Sequence, residues 1–155
     1  MHIVVAVVGK PKNASLATAI LEYERRAARY WPLRIHEVRE ARGGRGSGVQ
    51  VRDQEGLRLL AGIAPGAQLV ACTPGGARMT SEEFSAWLRR ERERAGPDVA
   101  FVIGGASGLS ATVLDRAVMR LALAPWTLPH ELARLVLAEQ LYRAGTLVRG
   151  EPYHK

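Results

Sequence analysis

Apolar residues along the chain fall into short runs that alternate with stretches of helical spacing. The short runs are rich in β-branched side chains and are typical of buried strands; they cover residues 2–8, 33–39, 68–73, 99–103 and 121–124. Between these runs the apolar positions recur every three or four residues, which predicts helices near residues 15–31, 53–63, 81–95, 111–118 and 129–149. The alternation predicts an α/β fold, with a mainly parallel sheet that carries helices on both faces.

Polar residues mark where several of these helices begin. Ser15 and Ser110 are predicted N-caps, and Thr80 with Glu83 three positions later forms a capping box. Pro32 ends the first helix. The side chains expected to face the core are Leu59, Leu60 and Ile63 in the second helix and Val113, Leu114, Ala117 and Val118 in the fourth.

The carboxyl ends of the predicted strands are candidate ligand-binding positions, because ligands of parallel sheets bind beyond these ends. They lie at Gly9 and at residues 73–75, 104–105 and 124–126. The glycine turn 104–108 matches neither the dinucleotide-binding pattern nor a P-loop. Taken alone, it is more often a simple turn. The apolar loop 121–129 either offers backbone groups to a flat heterocycle or only connects a strand to a helix.

The last helix is apolar on more than one side. Leu132, Leu135 and Val136 share one face, while Leu137, Leu141 and Ala144 occupy much of another. Both faces must be covered, and in a chain of this length the second cover is expected to be another copy, so we predict a homodimer. Glu139 and Arg143 fall on the first face at ion-pair spacing. They form either a structural pair at the dimer interface or a pair that brings Arg143 to a substrate.

The composition fits one domain. The chain has 155 residues, 47% hydrophobic and 24% charged, so we predict a single domain over residues 1–155. The apolar run Ile3–Val8 is too short to cross a membrane, and no secretory signal is recognised. Cys72 is the single cysteine, which excludes an internal disulfide and fits a reducing compartment. We therefore expect a cytoplasmic protein with no membrane segment.

The charge favours a polyanionic partner. Lys and Arg number 22 against 15 Asp and Glu, a net charge of +7. Arginine binds phosphate in a bidentate manner, so nucleic acid is the favoured partner, although GC-rich coding also raises arginine content. Arg42 and Arg45 lie in the glycine-rich loop 42–48, which is either a solvated linker or an arm that grips phosphates.

Residues with catalytic potential are few. His2, His36, His130 and His154 show no metal-ligand spacing, so we predict no metal site. Cys72, at a strand end, is more often a small core residue than a nucleophile. The tail 153–155 offers a phenol, an imidazole and an amine, but taken alone a solvated tail is the favoured interpretation.

Several separate motifs resemble one family. They are Phe101-Val102-Ile103-Gly104-Gly105, Gly108-Leu109-Ser110, Thr127-Leu128-Pro129-His130, Arg134, Glu139-Gln140-Leu141-Tyr142-Arg143-Ala144 and Pro152-Tyr153-His154-Lys155. In order and content they resemble the RlmH family, SPOUT-class methyltransferases that modify pseudouridine in large-subunit ribosomal RNA. The resemblance runs over the whole chain and is weakest between residues 40 and 53.

The resemblance implies a fold and a ligand that periodicity cannot predict. The fold would be a C-terminal trefoil knot, the chain would form a homodimer, and S-adenosylmethionine would bind in the knot. The partner would be ribosomal RNA or the ribosome. Carried over by position, the cofactor would contact Cys72, Gly104, Leu123, Ala124, Pro125, Trp126, Thr127 and Leu128.

A mechanism follows for methylation at ring nitrogen 3 of pseudouridine. Loss of the imide proton places negative charge on the flanking carbonyl oxygens, and Arg143 is the candidate to stabilise it. His154 is the candidate base, and Tyr153 would position the uracil ring by stacking or hydrogen bonding. Two alternatives stay open: a SPOUT enzyme acting on transfer RNA, and a non-catalytic RNA-binding or ribosome-assembly protein.

Overall fold

The computed structural model describes residues 1–43 and 48–154 of the chain. In chain order the elements are β1 (Ile3–Val8), α1 (Ala14–Ala27), β2 (Leu33–Val38), α2 (Gly48–Ala61), β3 (Gln68–Ala77), α3 (Ser81–Glu93), β4 (Val99–Ile103), α4 (Ala111–Arg116), β5 (Met119–Leu121) and α5 (His130–Arg149), followed by a short 3-10 helix (Pro152–His154). The middle of the predicted basic loop with Arg45, the side chain of His154 and all of Lys155 lie outside the described residues.

The five strands form one sheet in the order β2-β1-β4-β3-β5, and every neighbouring pair is parallel. Strands β1 and β4 are buried along their whole length, as expected for uniformly apolar strands in the centre of a parallel sheet. This confirms the predicted α/β class. β2 is an edge strand with mixed exposure, which agrees with its alternating charges.

Alternate residues of each central strand serve two separate cores. Ile3, Val5 and Val7 face the larger core, which also holds side chains of α1, α3 and α5. Val4, Ala6 and Val8 face a smaller core under α2 and α4. Because side chains alternate across a strand, an apolar run such as Ile3–Val8 needs helices on both faces, and the structure provides them.

A buried ion-pair network connects α5 to α1 and β2. The Nε of Arg134 donates to Oε1 of Glu24 in α1 at 2.7 Å, and its Nη1 donates to Oε1 of Glu37 in β2 at 2.9 Å. Burial alone would lower the pKa of Arg134, but the hydrogen bonds to Glu24 and Glu37 outweigh it and raise the pKa. The guanidinium therefore stays charged and joins three elements.

Most helix boundaries agree with the predictions, and three details do not. Thr80 and Glu83 form the predicted capping box, and Ser110 caps α4. Ser15, however, is not the N-cap of α1: Asn13 is, because its side-chain oxygen accepts from the Leu16 amide at 3.0 Å. Helix α2 begins at Gly48, five residues before the predicted start.

Val118 is the third departure in the helices. It is 67% exposed rather than inward, because α4 ends at Arg116 and Val118 already extends toward the sheet. Its amide donates to the carbonyl of Leu69 at 2.9 Å, so the chain has left helical geometry by this residue. Leu59, Ile63 and Val113 are buried as predicted.

The largest difference lies at the β3–β5 edge. β5 covers Met119–Leu121 rather than 121–124, and β3 extends to Ala77. Leu121 pairs with both Cys72 and Ala77, so the intervening residues of β3 loop out and return to β5. The Ala122 amide still donates to the Ala77 carbonyl at 2.9 Å. The chain then leaves the sheet, and Leu123 and Ala124 line a cavity instead of pairing. The trefoil knot stays a prediction.

Helix α5 is 20 residues long and covers the larger core with Leu137, Leu141 and Ala144. Neither this helix nor any other in the part of the chain that the structure describes is long and apolar enough to cross a membrane.

Gly76 provides a test of the contact between β3 and β5. A Cβ at this position would lie 2.6 Å from backbone atoms of Arg120 and Leu121, and backbone atoms cannot move aside as a flexible side chain can. We expect Gly76→Ala to lower the free energy of unfolding by about 3 kcal/mol, measured by urea denaturation.

Gly75 is the matched control, because a Cβ there would meet nothing within 4 Å. Gly75→Ala should change the free energy of unfolding by less than about 0.5 kcal/mol. Equal stability of the two variants would contradict the close backbone contact.

Candidate active site

A cavity of about 530 Å³ opens at the carboxyl edge of the sheet. Its size is in the range of small-molecule sites. Three chain segments build it: the middle of β3, where its pairing with β5 is interrupted, the turn after β4, and the segment that runs from β5 into α5. The lining residues are 72–74, 103–106, 108–109, 123–124, 126–130 and 133.

The turn after β4 is shaped by close backbone packing. Gly105 and Gly108 form an isolated bridge, with the Gly108 amide donating to the Gly105 carbonyl at 3.0 Å. A Cβ on Gly104 would lie 2.6 Å from the Gly108 carbonyl oxygen, so the turn needs glycine there. Without a side chain at Gly104, a bound molecule can approach the backbone closely.

The cavity brings together most of the predicted cofactor-binding positions. Cys72, Gly104, Leu123, Ala124, Trp126, Thr127 and Leu128 line it, while Pro125 lies exposed in the same loop and does not. Trp126 is 77% exposed at the rim. That these residues contact a cofactor stays a prediction.

Sequence reasoning missed several lining residues, among them Leu109, His130 and Ala133. The first two lie within motifs quoted for the family resemblance, so the signal was present in the sequence. The Nε2 atom of His130 is buried and has no hydrogen-bond partner among the described residues. It is therefore available to a polar group of a bound molecule.

The cavity wall carries almost no charge. None of the lining residues is Asp, Glu, Lys or Arg. Burial raises the pKa of the Cys72 thiol to about 12, although a hydrogen bond with the Val102 backbone opposes the shift. The thiol is therefore protonated at neutral pH and unsuited to act as a nucleophile. The described residues contain no group of three His, Cys, Asp or Glu side chains placed to hold a metal ion.

A second polar cluster forms farther along α5. Arg143 donates through Nε to Oε1 of Glu139 at 2.9 Å, and its Nη2 also contacts this oxygen. The Tyr153 hydroxyl donates to the same Oε1 at 3.2 Å, and the Arg143 guanidinium lies 4.9 Å from the centre of the Tyr153 ring. The hydrogen bond to Glu139 raises the pKa of Arg143. We call Glu139, Arg143 and Tyr153 the arginine cluster.

Comparison with known proteins decides the family. The family model described as "Predicted SPOUT methyltransferase" matches residues 1–154. The chain belongs to the SPOUT methyltransferase family. Three relatives carry the name ribosomal RNA large subunit methyltransferase H. The protein from Gemmatimonas aurantiaca is 56% identical, that from Anaeromyxobacter sp. strain Fw109-5 is 50% identical, and that from Listeria monocytogenes serotype 4b is 43% identical, each over the full length of both chains.

In this SPOUT methyltransferase, the cavity and the arginine cluster are separate within the chain. Helix α5 begins at the cavity with His130, and Arg143 follows 13 positions later. At the rise of an α-helix this separation is about 20 Å along the axis. Neither Arg143 nor Tyr153 lines the cavity. The predicted cofactor-binding residues and the predicted catalytic residues Arg143 and Tyr153 therefore form two separate groups within the chain.

The tail of the SPOUT chain is docked through Tyr153. Gly150 ends α5 in the left-handed conformation, and the Glu151 amide donates to the Thr146 carbonyl at 2.9 Å. The Glu151 carboxylate accepts from the Tyr30 hydroxyl of the segment after α1. The ring centres of Tyr142 and Tyr153 are 4.4 Å apart. The tail up to Tyr153 therefore packs against the protein, whereas the terminal sequence alone favoured a solvated tail.

The contact between Tyr30 and Glu151 predicts a pH dependence. The hydrogen bond to Glu151, with burial, raises the pKa of Tyr30 from its ordinary 10.0 to about 12. Because the neutral phenol makes the bond, its contribution to tail docking is complete below pH 10 and is lost as the pH rises toward 12. In an ultraviolet titration of phenolate, the difference between the wild type and Tyr30→Phe should have its midpoint near pH 12. A difference with its midpoint near pH 10 would contradict the docked tail.

Proposed function

We propose that this methyltransferase transfers a methyl group from S-adenosylmethionine to ring nitrogen 3 of a pseudouridine in large-subunit ribosomal RNA, as a cytoplasmic homodimer. The names of full-length relatives at 43% to 56% identity support the ribosomal RNA substrate. The net charge of +7 supports a polyanionic partner. One observation carries the proposal: helix α5 begins at an uncharged cavity and carries Glu139 and Arg143 of the arginine cluster farther along its length.

The cavity residues fit the donor. Its adenosyl part is flat, and its sulfur is positively charged, so a wall without lysine or arginine causes no repulsion. Gly104 permits close backbone approach, and the unpartnered Nε2 of His130 is available for a hydrogen bond. When bound, the donor supplies a methyl group on a sulfonium, which becomes a neutral thioether after transfer. The protein then has to align the acceptor and assist the loss of one proton.

One feature of α5 supports a dimer. Leu132 is 36% exposed, and Leu135 and Val136 are only partly buried, so one apolar face of the helix is incompletely covered. Two copies related by a two-fold axis would cover this face for each other. An antiparallel pairing of the two α5 helices would also place the arginine cluster of one protomer beside the cavity of its partner.

Arg143 has the geometry to stabilise the developing charge. Its Nε and Nη2 are both committed to Glu139, whereas its Nη1 has no hydrogen-bond partner among the described residues. Deprotonation of the imide places negative charge on the two flanking carbonyl oxygens, and a fixed guanidinium edge stabilises such charge. Glu139 holds the orientation of the guanidinium, which avoids the cost of ordering it during the reaction.

The roles proposed for the tail are positioning and proton removal. Burial, with the hydrogen bonds to Tyr23 and Glu139, raises the pKa of Tyr153, so its phenol does not act as a base. Since the hydroxyl is already bonded, ring contact is favoured over hydrogen bonding as the way Tyr153 positions the uracil. His154 stays the candidate to take the imide proton.

The substrate class is tested with RNA from a strain that lacks the gene. By mass spectrometry, one pseudouridine of the large-subunit RNA should lose one methyl mass, while transfer RNA is unchanged. The wild-type gene should restore the methyl group. Arg143→Ala should restore it at a rate lower by about 10² to 10³. Loss of a methyl group from transfer RNA instead would contradict the proposed substrate. No loss in either RNA, with no heat of S-adenosylmethionine binding, would favour a non-catalytic RNA-binding protein.

The shared site is tested by mixing two inactive variants. Arg143→Ala disables the arginine cluster, and Ala124→Trp fills the cavity of the other variant. If each site combines one protomer's cavity with the partner's cluster, mixed dimers contain one complete site. Random exchange should then recover about a quarter of wild-type activity.

The control for this experiment mixes either variant with itself, which should recover nothing. No recovery from the mixed pair, with exchange verified by mass spectrometry of differently tagged chains, would show that cavity and cluster must belong to one protomer.

A further inference from the structure

The Tyr153 hydroxyl takes part in a second contact, which the proposed function uses only to explain the raised pKa and the bonded state of this hydroxyl. The Tyr23 hydroxyl, on α1, lies 3.3 Å from the Tyr153 hydroxyl. The two residues are 130 positions apart in the chain, so the tertiary fold alone brings them together. Tyr23 does not line the cavity, and the proposed function assigns it no part in positioning the reacting groups.

The direction of this hydrogen bond follows from counting protons. Tyr153 has one hydroxyl proton, and the Glu139 carboxylate can only accept. Tyr153 therefore donates to Oε1 of Glu139 at 3.2 Å, which leaves Tyr23 as the donor in the contact between the two phenols. The result is a directed chain from Tyr23 through Tyr153 to Glu139, where Arg143 also donates.

The surroundings of Tyr23 hold it in place for this donation. The Arg26 guanidinium lies 5.4 Å from the centre of the Tyr23 ring and 5.7 Å from the centre of the Tyr142 ring. Glu22 pairs with Arg26 through Nε at 2.7 Å and so orients it. The Tyr23 and Tyr142 ring centres are 6.2 Å apart. Helix α1 thus presents a fixed phenol to the tail.

We propose that Tyr23 is a positioning residue for methyl transfer, which acts by fixing the Tyr153 hydroxyl and, through Glu139, the Arg143 guanidinium. The inference rests on the proposed function, because it assigns Tyr23 a part in the same site. Tyr153 belongs to a short tail with a single 3-10 turn, so two hydrogen bonds at its hydroxyl restrict the ring far more than one. Without Tyr23, the tail and the guanidinium would sample more orientations.

Tyr23→Phe tests the inference, because it removes the hydroxyl and keeps the ring. We expect kcat to fall about fivefold to tenfold, as for loss of one hydrogen bond. The KM for S-adenosylmethionine should not change, because Tyr23 lies outside the cavity. Activity is measured well below the thermal midpoint of the variant, so that loss of folded protein does not contribute.

A double-mutant cycle separates positioning from a general structural effect. If Tyr23 acts through the Tyr153 oxygen, Tyr23→Phe should cause no further loss of kcat in a Tyr153→Phe background. Tyr142→Phe is the matched control: its ring packs against the rings of Tyr23 and Tyr153, and its hydroxyl makes no hydrogen bond with the described residues. This control should keep the wild-type kcat.

The outcomes distinguish the inference from the proposed function. If Tyr153→Phe alone keeps full kcat, the Tyr153 hydroxyl has no part in the reaction and the inference is overturned, whereas the ring contact proposed for Tyr153 is unaffected. If Tyr153→Phe is impaired while Tyr23→Phe keeps full kcat, or if the two losses multiply, only the role of Tyr23 is overturned. An equal loss in Tyr142→Phe would also overturn it, since the effect would then not depend on the hydrogen bond.

Discussion

The structure depends on one close backbone contact, where the end of β3 lies against β5. Leu121 pairs with two separate residues of β3, and Gly76 approaches the Leu121 backbone too closely for any side chain. This contact fixes the point at which the chain leaves the sheet. The segment after Leu121 must then turn over the carboxyl edge, where it forms one wall of the cavity and leads into α5. Cavity and helix position therefore follow from the same constraint.

The cavity and the arginine cluster differ in charge, and the difference suits the chemistry proposed for each. The cavity is uncharged, so a positively charged donor is not repelled there. The arginine cluster supplies the positive charge, but Glu139 accepts from both Arg143 and Tyr153 and orients them. Helix α5 carries both groups about 20 Å apart. This separation within the chain is the reason for proposing that a second copy completes the site.

Local apolar runs predicted the parallel sheet and the strand ends that border the cavity, whereas Cys72, Leu123, Thr127 and Leu128 were predicted only through the family resemblance. Sequence reasoning failed where two local solutions compete or where contacts are distant. Asn13 and Ser15 are both good caps, and only the bond to the Leu16 amide decides between them. Leu123 and Ala124 are apolar because they line a cavity, which periodicity cannot distinguish from a strand. The contact of Tyr23 with Tyr153 joins residues 130 positions apart, and no local pattern reports it.

The position of Trp126 gives the molecule a natural optical probe. Trp31 and Trp87 are buried in the larger core, whereas Trp126 is 77% exposed at the rim of the cavity. Water-soluble quenchers will therefore reach one indole out of three. Its emission reports directly on anything that enters the cavity or covers its rim, so arrival of a ligand there can be timed without attaching a dye.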